Sequence, residues 1–145
     1  MEKRLVIRLM GYWERLRNGD PLPDFKKNNP AMIEDLWTQC FVLSIAPPRG
    51  AVYKYEYLGD KVKDVYGGDI SGRSFELQNR QFPNSIIARR LQEMVKTGTK
   101  TPQEDSGHTP SADGKLIKYR IVLLPFGNEK SGLTHIIVGI SFREF

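Results

Sequence analysis

The sequence predicts an α+β domain, a five-stranded antiparallel sheet with helices on one face and a helical N-terminal extension. Three observations carry this. Two late segments, residues 117–123 and 136–142, alternate apolar and polar side chains as half-buried strands do. An early pair, residues 41–46 and 52–58, reads as a hairpin. Residues 4–17 and 84–97 instead repeat apolar side chains at helical spacing. Two strands alone make no stable sheet, so the late strands are expected to complete the one the hairpin begins.

From the start of the chain, Leu5, Val6, Leu9, Met10, Tyr12, Trp13 and Leu16 share one side of a helical wheel, with Arg8, Gly11, Glu14 and Arg15 opposite. Asn18, Gly19 and Pro21 stop this helix, and residues 22–28 form an extended connector. Asn29 before Pro30 reads as a cap with proline at the first helical position, and Ile33, Leu36, Trp37 and Cys40 then repeat as a second, shorter helix. The continuous apolar run 41–46 suits a strand buried on both faces, closed by a Pro47–Gly50 turn. Next comes strict alternation, with Tyr53, Tyr55 and Tyr57 on one face and Lys54 and Glu56 on the other.

Gly59, Gly67, Gly68 and Gly72 punctuate residues 59–75, which predicts short helical turns joined by bends. Asn84 caps the next helix, Ile87, Leu91, Met94 and Val95 face inward, and Gly98 ends it. Residues 99–104 are a weaker strand candidate, and the turn-former-rich stretch 105–114 reads as a mobile loop. In the last two strands Ile117, Tyr119, Ile121 and Leu123 form one inward row and Ile136, Val138, Ile140 and Phe142 the other. Residues 1–40 are thus an N-terminal helical extension of the same domain, and residues 41–145 its core.

Composition narrows the functional classes. With 145 residues, 39% hydrophobic and 27% charged, the chain has the balance of one globular domain, and its longest apolar stretches are strand-sized. They fall far short of the roughly 20 residues a bilayer helix needs. Arg8 interrupts the only signal-like run, and Cys40 is the single cysteine, so a cytoplasmic compartment is expected. The net charge of +5 is concentrated partly in Lys3, Arg4, Arg8, Arg15, Arg17, Lys26 and Lys27. This basic N-terminal region supports an alternative function, binding of nucleic acid or an anionic surface, although no aromatic residues interleave with the charges as nucleic-acid binding favours.

The local motifs resemble a family. Tyr12-Trp13-Glu14-Arg15-Leu16-Arg17, then Leu22-Pro23, Asn29-Pro30, the aromatic strand ending at Gly59, a second glycine at Gly67 or Gly68, the pair Gly72-Arg73 and finally Leu123-Leu124-Pro125-Phe126 are, in that order, similar to small PAS proteins best known from alphaproteobacteria. Glu56 and Asp60 stand where that pattern leads one to expect a basic residue and a small hydroxyl residue. The resemblance implies a non-catalytic sensory or protein-interaction domain, with a pocket between the inner sheet face and the long helix. Tyr55, Tyr57, Met94, Tyr119, Ile121 and Val138 are the candidate ligand-binding residues there, and their competing role is to fill the core. The resemblance also implies dimerisation through the leading helix, with Leu9, Trp13 and Leu16 as the candidate interface; the other account is that this helix caps its own sheet.

The resemblance sets cofactor expectations too, and none is assigned. Haem-binding members ligate iron through a histidine, commonly on the long helix, and residues 84–97 contain none. Blue-light members form a cysteine adduct with flavin from a helix after the second strand, whereas Cys40 precedes the first. Haem and covalent flavin are therefore disfavoured. His108 and His135 read as surface or packing residues, and with one distant cysteine they make no zinc set. Ser106 and His108 lack an elbow motif, and Gly67-Gly68 lacks the lysine of a phosphate loop, so no catalytic residue is assigned. No kinase, cyclase, phosphodiesterase or helix-turn-helix segment is read, so the expected output is contact with a signalling protein partner or a second copy.

Overall fold

The structure is a computed structural model and describes residues 3–46, 52–98, 100–110 and 113–144. The expected Pro47–Gly50 turn lies outside these residues. The leading apolar arc forms helix α1 (Lys3–Arg17), which Asn18 and Gly19 end with left-handed backbone, φ 47° and 89°. In the connector, Asp24 accepts the amide of Lys26 and caps a short 3-10 turn at Phe25–Lys27. The next segment is tighter than a single helix. A 3-10 turn at Pro30–Ile33 leads into the four-residue helix α2 (Glu34–Trp37), the side chain of Asn29 makes no cap bond, and Cys40 already opens strand β1 (Cys40–Ala46).

Strand β2 (Val52–Leu58) pairs back on β1. Helix α3 (Asp60–Tyr66) ends at Gly67, φ 75°, and a two-residue strand β3 (Ser74–Phe75) follows. Helix α4 (Asn84–Thr97) ends at Gly98, φ 66°. Its Val95, expected inward, is 39% exposed. Strands β4 (Gln103–Pro110), β5 (Leu116–Asn128) and β6 (Gly132–Glu144) complete one sheet of order β3-β2-β1-β6-β5-β4. All its pairings are antiparallel, and β1 joins early to late strands by facing β6, with Leu43 opposite Ile136.

Two strand expectations change. The sheet has six strands and not five, because β3 pairs only Ser74 with Lys54 and Phe75 with Tyr53 and is too short to show a period. Residues 105–110 are strand and not mobile loop: Asp105 lies opposite Ile121 and His108 opposite Lys118.

Both sheet faces are covered. Phe41, Leu43, Tyr55, Ile121, Leu123, Ile136 and Val138 pack on the α3 and α4 side with Val62, Ile87, Leu91 and Met94. Val42, Val122, Leu124, Phe126 and Ile137 pack on the opposite side, under Leu5, Leu9, Trp13 and Leu16 of α1 and Ile33 and Leu36 of the α2 segment. Burial on two sides is why residues 41–46 and 121–126 read as unbroken apolar runs. Gly139 allows the close approach of α1, since a Cβ there would sit 2.4 Å from Leu9 Cδ1. No helix among the described residues is long and apolar enough to cross a membrane.

Candidate functional site

A bulge decides which tyrosines face the core. The β1–β2 register slips between Val42 and Leu43, so that Val42 faces Tyr57 and Leu43 faces Tyr55, leaving Glu56 as the extra residue. Tyr53 and Tyr55 stay inward. Tyr57 is turned to the opposite face, where it stacks on Trp37 at 4.8 Å, so it does not join Tyr55 as strict alternation predicted.

The remaining candidates share one core with Tyr55. Met94, Ile121 and Val138 are all but fully buried there, and Tyr119 lies beneath Gly107 and beside the Phe82 ring at 4.9 Å. Leu9, Trp13 and Leu16 are likewise buried against the chain's own sheet; the Trp13 indole N–H donates to the Pro125 carbonyl at 2.6 Å.

Of the six candidates only Tyr55 lines the cleft that opens between β2, α3 and the start of α4, with a volume of about 340 Å³. Its floor is polar and buried. The Tyr66 hydroxyl donates to Asn84 Oδ1 at 2.5 Å, and Asn84 Nδ2 donates to the Tyr55 hydroxyl at 3.0 Å. These three side chains tie α3, α4 and β2 together at one point. Burial, with Tyr55 adding to it, pushes the Tyr66 phenol far above its ordinary value, so it is a neutral hydrogen-bond donor and not a base. Burial raises Tyr55 as well, partly offset by its bonds to Asn84 and Tyr66.

Around this floor, Val65, Ile70 and Phe82 give an apolar wall, and the exposed Arg73 and Glu76 stand at the rim. Arg73 makes no ion pair among the described residues. Tyr66 carried no legible signal. Asn84 did, but as a helix cap; with Pro83 in the cap position, its amide turns inward.

A larger groove, about 640 Å³, lies between the connector and the β5–β6 hairpin, bordered by Asp24, Lys27, Lys100, Glu129 and Leu133. Residues so far apart in sequence gave no warning of it. Beside it, His135 stacks on Phe25 at 4.0 Å and pairs with Glu56 at 3.5 Å. Burial lowers its pKa, against the opposing pull of Glu56 and Asp24. Burial pushes the Cys40 thiol up to about 12, so it stays protonated and unreactive at neutral pH. His108 is exposed on β4, and no group of three metal-ligating side chains occurs among the described residues.

The curved antiparallel sheet, roofed by short helices and one long helix, defines a PAS-type sensory fold. A family model described as PAS domain matches residues 1–141, and the chain belongs to that family, whose members are typically non-catalytic domains of sensory signal transduction. No curated protein matches the chain. Among solved structures it is similar to a light-oxygen-voltage domain studied with a flavin analogue, at 11% identity and TM-score 0.51, over 78% of this chain and 84% of that one. The PAS domain of Bordetella pertussis BvgS gives 18% identity and TM-score 0.45, over 97% and 89%. The light-state dimer of the fungal blue-light photoreceptor Vivid gives 10% and 0.49, over 91% and 93%. At 11% identity the likeness to the light-oxygen-voltage domain shows a shared fold alone.

Proposed function

We propose that the chain is a non-catalytic sensory and interaction domain that takes a small molecule in the cleft at Tyr55, Tyr66 and Asn84 and passes the signal on by protein contact. The observation that carries this reading is the hydrogen-bonded floor, because Asn84 is the first residue of α4 and also holds α3 and β2. A ligand carbonyl or hydroxyl that bonds the Asn84 amide competes with the two tyrosines and so loosens α4 from α3. Val65, Ile70 and Phe82 would cover an apolar body, and Arg73 would favour an anionic end at the rim. The test is native mass spectrometry of freshly purified protein, compared with a Tyr66→Ala variant. A bound small molecule present in the parent and lost from the variant supports the reading; the same mass retained in both places the ligand elsewhere.

Homodimerisation belongs to this proposal, through other residues than those expected from sequence. With Leu9, Trp13 and Leu16 used on the chain's own sheet, α1 offers a second copy the side chain of Ile7, which is 65% exposed. A reducing, cytoplasmic setting suits the single buried thiol. The alternative role in nucleic-acid or anionic-surface binding is less well supported, since several of the N-terminal cations are neutralised: Arg8 pairs with Asp35, Arg17 with Glu14 at 2.6 Å and Lys27 with Asp20 at 3.7 Å.

A further inference from the structure

The sheet face under α1 continues beyond its buried apolar part, and this half-buried to exposed end carries cations. Val122, Leu124 and Ile137 are buried beneath α1, so by strand alternation Lys118 and Arg120 of β5 and Ser141 and Arg143 of β6 share that face. On β4, Asp105 is buried on the α4 side, which puts Ser106 and His108 on the same outer face. The pairing register then sets His108 beside Lys118 beside Arg143 in one row across three strands, with Ser106, Arg120 and Ser141 in the next. Strands lie about 4.8 Å apart, so the row spans roughly 10 Å.

Other features make this end still more electropositive. Helix α1 runs in the same direction as β5 and opposite to β6, since Trp13 meets Pro125 and Leu9 meets Val122 and Gly139. The positive end of its dipole is therefore directed toward the basic rows, and its first turn holds Arg4 and no acidic residue. Arg120 is only 14% exposed; its Nη1 bonds Glu104 at 3.3 Å, while its Nε is buried with no acceptor.

The backbone specifies what kind of partner. Strand β4 is the outer strand of the sheet and pairs only with β5, so one side of residues 103–110 is open to a further strand. It is held firmly for this, because Asp105 accepts from Arg90 at 2.9 Å and from Arg89 at 3.3 Å, pinning the strand to α4. Only a polypeptide can use open backbone pairing, and a second copy of this basic face would be repelled.

We propose that an acidic, extended segment of a partner protein docks here, pairing with β4 as a seventh strand and setting its carboxylates against Lys118 and Arg120. This rests on the reading that the signal leaves by protein contact, and it names the partner's chemistry. Glu104 repels acid at the other end of β4, so the partner's acidic residues lie toward the 106–110 end.

The probe is a fluorescein-labelled decapeptide of alternating Glu and Val, with the Lys and Val version as control. The Glu peptide is expected to bind, to lose at least about tenfold in affinity between 50 and 300 mM salt, and to slow amide exchange across residues 103–110. Lys118→Glu should weaken it at least about tenfold, and Lys118→Gln by less, with circular dichroism unchanged. Equal binding of the Lys peptide, or no slowing along β4, overturns the proposal, as does tighter binding to a DNA duplex or phosphatidylserine vesicles without β4 protection. A Tyr66→Ala variant should bind the peptide normally, so failure of this docking surface and failure of the cleft are read separately.

Discussion

The Asn84 amide works twice, accepting from Tyr66 and donating to Tyr55 at the floor of the cleft. Truncation removes the partner that each hydroxyl has on α4 and leaves them only each other. Asn84→Ala is therefore expected to cost about 1–3 kcal/mol of stability, read from the urea midpoint, because a buried polar group is expensive when its partner is lost. An unchanged midpoint would mean the hydroxyls find other acceptors and the floor is not a unit. His135 makes a different prediction. Burial holds its folded pKa below the ordinary 6.5, so the native state binds fewer protons than the unfolded chain. Its contribution is intact above pH 6.5 and declines as pH falls below that value through the folded pKa. Stability measured from pH 7.5 down to 5 should fall in the parent protein and fall less steeply in His135→Gln. Equal slopes would show that other groups carry the acid sensitivity.

Elements with a clean period were legible before any coordinates. Helix α1 and strand β6 are examples, and so is α4, whose Gly98 stop could be read directly. What escaped was governed by neighbours. The bulge at Glu56 turns Tyr57 away from Tyr55, and nothing within residues 52–58 signals it, because the slip is a property of the β1–β2 pair. Strand β4 looked like a loop because an edge strand with one wet face is built from Gln, Glu, Asp, Ser and Thr, the residues turns also use. The cleft was half legible, since Tyr55 was found by alternation while Tyr66 sits on a short helix with no telling pattern. Gly59 is where these elements meet: its amide donates to Cys40, and a Cβ would lie 2.4 Å from the Thr38 carbonyl oxygen. Backbone cannot yield as a side chain can. Gly59→Ala should destabilise by about 1–3 kcal/mol, checked by thermal or urea unfolding; a neutral result would mean that the α2–β1 junction is softer than its geometry indicates.

At the scale of the molecule, one sheet divides two cores, with the N-terminal helix serving one and the cleft-bearing helices the other. The two should differ in what they tolerate. Leu9→Ala, in the core under α1, is expected to cost about 2–5 kcal/mol while leaving ligand occupancy of the cleft unchanged at temperatures where the protein is folded. Loss of binding in that variant would tie the two faces together more closely than described. The central claim is that the chain senses through the floor shared by β2, α3 and α4. Its most direct measurement is a two-dimensional NMR fragment titration with assigned backbone and Asn side-chain amides. The account predicts that small amides and phenols shift Tyr55, Tyr66 and Asn84 first, with the change spreading along α4. Shifts confined to the groove at Asp24 and Lys100, with Asn84 unmoved, would contradict it.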